Sequence, residues 1–178
     1  MKAGVADSVP LHHEQISARE GDIGISGVQI INAGVGRKRP RKTPFAQFAG
    51  SWSGQGKITV QNGASERIRC RGTYRAGGSG MTLSLSLRCA SDSYRFELAS
   101  DVTYEGGSIS GSWNETSRQV YGQITGRATA NNITAQASAV GFNASLVIAT
   151  RGNNQTVAIR SPGSEISEVT ISMARAGR

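Results

Sequence analysis

From Pro44 onward the chain is written in short alternating runs of apolar and polar residues, broken near every tenth position by Gly, Asn, Ser or Asp. Side chains of an extended strand point alternately to its two faces, so this alternation marks half-buried strands. In SWSGQGKITV, the residues Trp52, Gly54, Gly56, Ile58 and Val60 share one face. ERIRCRGTYR sets Ile68, Cys70, Gly72 and Tyr74 against Arg67, Arg69, Arg71, Thr73 and Arg75. MTLSLSLRC alternates most cleanly, with Leu83, Leu85, Leu87 and Cys89 against Thr82, Ser84, Ser86 and Arg88. SYRFEL, DVTY, SISGSW, QVYGQITG, NITAQAS, FNASLVIAT, QTVAIR and EVTISMAR continue the pattern, for about ten strands in all.

The links are too short for parallel crossovers, so sequential strands are antiparallel neighbours. No segment has room for a helix longer than a turn or two. These features predict an all-β fold, an antiparallel meander β-barrel whose closure removes the edges an open sheet would expose. A β-sandwich is the alternative. Inward glycines at Gly54, Gly56, Gly72, Gly111, Gly122 and Gly126 read as places where strands bend or bulge.

Residues 1–43 show neither a sustained helical period nor alternation. They read as a flexible basic N-terminal segment, leaving 44–178 as the barrel domain. Their apolar stretch ISGVQIINAGVG is followed by the basic cluster GRKRPRK, the reverse of the order in an export signal. The cluster itself reads as a solvated linker.

Composition narrows the class. Of 178 residues, 37% are hydrophobic and 6% aromatic, while 23 are glycine, which argues against a large helical protein. No run reaches the roughly 18 apolar residues of a spanning helix. The net charge of +8 raises the question of anionic partners, although a heavy preference for arginine is as easily a habit of a GC-rich genome, and the distribution of charge matters more than its size. Strand periodicity gathers Arg67, Arg69, Arg71 and Arg75 on one outer face, with Arg88 beside them on the next strand. That face carries no aromatic platforms, so nucleic acid is not the expected partner.

The opening FAGSWSGQG resembles the G-x-W start of the calycin group, the lipocalins and their relatives. The resemblance implies that Trp52 closes one barrel end and that Arg175, in ISMARAGR, packs across it. More broadly, FAGSWSGQGKI, ERIRCRGTY, LRCAS, GGSISGSWNE and NQTVAIRS are similar to a group of small exported bacterial β-rich proteins of unassigned activity. That similarity, over about three quarters of the chain, implies a periplasmic or secreted location with Cys70 and Cys89 kept as a pair.

The residues alone leave the cysteines more open. Taking the turn centre near Gly78 sets Cys70 opposite a residue around 86, so bonding to Cys89 requires a bulge or a register offset. A disulfide is expected, and two buried thiols in a reducing compartment are the alternative. Two cysteines nineteen positions apart without nearby histidines do not make a zinc site. His12, His13 and Glu14 are merely adjacent, in a segment without a frame to hold ligands. No metal or cofactor is expected, and no histidine follows Pro44 to support a Ser-His triad. The carboxylates mostly flank turns, where they cap backbone and aid solubility. The chain therefore reads as a non-enzymatic binding protein. A small apolar ligand would sit in a barrel lined by Trp52, Tyr74, Phe96, Trp113 and Phe142, unless those five simply fill the core. The competing class is an interaction protein that docks an anionic envelope component, a polymer or a partner protein through the arginine face.

Overall fold

A computed structural model describes residues 43–177. Ten antiparallel strands follow one another: β1 (Gly50–Val60), β2 (Ser65–Ala76), β3 (Thr82–Ala90), β4 (Arg95–Glu105), β5 (Ser108–Glu115), β6 (Val120–Ala128), β7 (Asn132–Ala139), β8 (Phe142–Arg151), β9 (Asn154–Arg160) and β10 (Ile166–Arg175). Each pairs with its sequence neighbours, and β1 also pairs with β10 over Trp52↔Arg175 through Val60↔Ile166, so the sheet closes into a barrel. This pairing excludes the sandwich. SYRFEL and DVTY, read as separate runs, fall in one strand that begins at Arg95, after Ser93 and Tyr94, because the inward parity of Phe96 and Leu98 continues unbroken through Ser100 to Val102.

The links alternate between two ends. Those after β1, β3, β5, β7 and β9 form one end, the mouth; the others surround the opposite end, where β1 begins and β10 finishes. No helix among the described residues is long and apolar enough to cross a membrane. The GRKRPRK cluster and His12, His13 and Glu14 lie outside the described residues.

The core follows the alternation, with Ile58, Ile68, Leu87, Ile109, Ile124, Ile148 and Ile171 all buried. None of the inward glycines sits at a break in register; among the described residues the one irregularity lies in β1 against β10, between Thr59 and Val60. Gly54 instead lets strands approach closely, since a Cβ there would stand 2.0 Å from the Ser172 carbonyl oxygen.

Candidate functional site

The end opposite the mouth is plugged. Just before β1, the turn at residues 44–48 folds Phe45 and Phe48 into full burial, with the Phe48 and Ala49 amides donating to the Phe45 carbonyl. Trp52 then donates its indole N–H to the Phe48 carbonyl at 2.8 Å. Arg175 lies over the Trp52 ring, 4.2 Å from its centroid, and donates to the carbonyls of Ala49 and Gln47. Such a cation–π contact contributes about 0.5–2 kcal/mol. Gly50 completes the arrangement: its φ is +127°, and a Cβ would collide with the Arg175 guanidinium. The G-x-W tryptophan and the late arginine thus make the closure that the calycin resemblance implies, and Trp52 is part of that plug.

Above the plug lies a small polar cluster. The Tyr74 hydroxyl donates to Gln155 Oε1 at 2.8 Å, and Gln155 Nε2 donates to Thr150 Oγ1 at 3.0 Å. All three side chains are buried, which pushes the Tyr74 phenol well above its ordinary pKa and leaves it neutral. Because both amide atoms of Gln155 are satisfied, the cluster stands without desolvation cost from an orphaned group.

The barrel interior then opens in two stages. An inner void of about 110 Å³ is walled by Tyr74, Leu85, Leu87, Ile124, Ala144, Leu146, Ile148 and Val157. At the mouth sits a cavity of about 380 Å³, bounded by Phe96, Leu98, Trp113, Phe142, Ile159 and Val169 below and by Glu115, Arg118, Ser164, Glu165 and Glu168 at the rim. Leu98, Trp113, Phe142 and Ile159 border both spaces. Trp113 and Phe142 pack with ring centroids 5.3 Å apart, and the Trp113 indole is anchored by donating to the Gln123 carbonyl at 3.1 Å. Of the five aromatic residues singled out in the sequence, Phe96, Trp113 and Phe142 meet at the mouth. Tyr74 reaches only the inner void, and Trp52 belongs to the plug.

Glu115 holds the rim. Although it ends a strand beside a turn, its side chain points inward and is only 7% exposed. It accepts hydrogen bonds from the backbone N–H groups of Glu97, Ser117 and Arg118 at 2.9, 3.1 and 2.7 Å, and faces the Arg118 guanidinium at 3.6 Å. Burial pushes its carboxyl up, but the hydrogen bonds outweigh burial, so it stays below its ordinary pKa. It is a structural anchor for the β5–β6 link, where Gln119 adopts a positive φ of 55°.

Cys70 and Cys89 form a disulfide. They face each other directly, with no bulge or offset, because the β2–β3 turn is centred nearer Ser79 and Gly80 than Gly78. The Gly77 amide donates to the Thr82 carbonyl and the Gly80 amide to that of Gly77, which moves the pairing three residues from the expected register. A Cα separation of 4.2 Å matches the closer, non-hydrogen-bonded type of antiparallel pair. Arg67, Arg69, Arg71, Arg75 and Arg88 are all exposed on the outer face around this bond. Among the described residues, no group of three His, Cys, Asp or Glu side chains could hold a metal ion.

No protein-family model matches the chain, and no curated protein matches it. Among solved structures it is similar to the crystal structure of Rv2717c from M. tuberculosis, with a TM-score of 0.59 and 10% identity over 78% of this chain and 99% of that one. It also aligns with the S-type phycobiliprotein lyase CPES from Guillardia theta, with a TM-score of 0.48 and 11% identity over 75% and 91% of the two chains. The likeness to Rv2717c is one of fold.

Proposed function

We propose that the protein is a non-enzymatic carrier of a small apolar ligand, held at the barrel mouth. One observation carries this reading: an apolar cavity of about 380 Å³ continues past the Trp113–Phe142 pair toward a second, nearly non-polar void. Its size falls in the range of small-molecule sites. The buried plug at the other end leaves the mouth as the way in, and the rim supplies only a few polar groups to orient a ligand. A location outside the cytoplasm is part of the proposal and is supported by the Cys70–Cys89 bond, which persists in oxidising compartments.

The neutral fluorophore N-phenyl-1-naphthylamine tests the reading. Its fluorescence is expected to rise on saturable binding, independently of salt, because apolar burial is not screened. Phe142→Asp, which places a charge in the cavity wall, is expected to abolish the signal. Ala144→Leu, which fills the inner void, is expected to weaken it. Absence of binding to the wild type, or equal binding by all three proteins, would overturn the proposal.

A further inference from the structure

We infer that the outer face of β1–β4 is a docking surface for phosphate-bearing headgroups of an anionic lipid membrane. Barrel register assembles more cations there than strand alternation on β2 alone indicates. Lys57 stands directly opposite Arg67, Arg71 directly opposite Arg88, and Arg69 is joined through Ala90 to Arg95. Like charges directly opposite each other on one sheet face oppose folding. Here two such pairs lie on the same face, four residues apart along β2 with Arg69 between them, and one is adjacent to the Cys70–Cys89 crosslink that fixes its register. A sheet that spends stability to hold cations together marks a functional surface.

The groups facing this cluster leave it with an excess of positive charge. Glu97 contacts Arg88 at 3.6 Å, Asp101 lies in line with Arg75 through Ser84, Glu105 ends the same outer face of β4, and Glu66 lies at the mouth edge, where it accepts from the Ser93 amide. Arg67, Arg69, Arg71 and Arg95 form no ion pair with a described residue. A hollow of about 560 Å³ lies among Arg69, Arg71, Arg88 and Arg95, with Glu97, which pairs with Arg88, also on its wall; it is wide enough for a phosphate group and its ester substituents. Guanidinium groups match such oxyanions with paired hydrogen bonds.

A membrane fits better than a nucleic-acid strand because the face spans four strands and offers no aromatic side chain among its cations for bases to stack on.

Cosedimentation with vesicles of phosphatidylglycerol and phosphatidylcholine tests the inference. The wild type is expected to bind them, to ignore phosphatidylcholine alone, and to dissociate as salt rises. Arg69→Glu with Arg71→Glu is expected to weaken binding by about a hundredfold, since each basic residue near a membrane contributes several-fold. Arg127→Glu with Arg151→Glu, an equal charge change on β6 and β8, is expected to retain it. Near-UV circular dichroism establishes that each variant keeps the native fold, and Arg69→Gln with Arg71→Gln serves if the reversal does not. Equal loss in the two reversed variants would reduce the effect to net charge and overturn the inference. Binding to soluble polyphosphate without binding to vesicles would overturn it as well.

Discussion

Breaking the Cys70–Cys89 bond is the perturbation whose cost can be worked most directly. The two residues are 19 apart in sequence, and the loop-closure relation assigns a crosslink of that span about 3 kcal/mol at 25 °C. Reduction leaves both side chains in place, at 2% and 3% exposure, so no cavity opens and the loss arises in the unfolded chain. For a domain of about 135 residues, unfolding entropy near 2.1 cal/mol/K per residue converts 3 kcal/mol into a fall in Tm of roughly 10 °C. Urea titrations followed by tryptophan fluorescence, on oxidised protein and on protein refolded in reductant, measure the difference. The reduced form is expected to show the lower midpoint and an unchanged native spectrum. Cys70→Ala with Cys89→Ala is expected to lose about 1–2 kcal/mol more, since it also removes buried sulfur atoms. A reduced protein within about 1 kcal/mol of the oxidised one would refute the reasoning, because the β2–β3 hairpin would then be held in the unfolded chain by something other than the bond.

Glu115→Ala is expected to cost about 2 kcal/mol by unpairing the amides of Glu97, Ser117 and Arg118, measured as a shift in urea midpoint. Because the Glu115 carboxyl is held below its ordinary 4.5, its contribution is whole above that pH and is lost as the pH falls through its folded value. Stability measured from about pH 6 to pH 3 should therefore fall less steeply in Glu115→Gln than in the wild type. Tyr74→Phe leaves Gln155 Oε1 buried without its donor and is expected to destabilise by about 1–3 kcal/mol in thermal unfolding. Gly54→Ala forces a Cβ against the Ser172 carbonyl and is expected to cost about 2 kcal/mol or more, read as a lower Tm.

Strand alternation made the barrel legible because inward and outward residues differ sharply on nearly every strand, as Leu83, Leu85 and Leu87 do from Thr82, Ser84 and Ser86. The arginine face was legible for the same reason, but Lys57 and Arg95 join it only through cross-strand register, which alternation within one run cannot supply. Register also decided the cysteines. A loop as glycine-rich as AGGSG admits several turn geometries, and an error of three positions separated an assumed offset from a direct pair. Phe45 and Phe48 are invisible to strand alternation because they pack from a single turn, with helical rather than alternating spacing, at the boundary of a segment that shows no pattern. Their spacing ahead of Gly50 and Trp52 was the available signal. The inward Gln155 and Thr150 could not be read as a cluster, since the tyrosine that satisfies the amide is 81 residues away.

The seam between β1 and β10 also bears on how the protein folds. Nine of the ten strand pairings join sequence neighbours and need only short hairpin loops to close, whereas Arg175 reaches the Ala49 carbonyl across 126 positions. Closing so long a loop costs chain entropy before any contact repays it, so the hairpins are expected to zip first and the seam to form last. Until then two unpaired edges stand ready to join other chains. The stacking of Arg175 on Trp52 thus fastens the final pairing, and refolding yield should depend on protein concentration more steeply in Arg175→Ala than in the wild type.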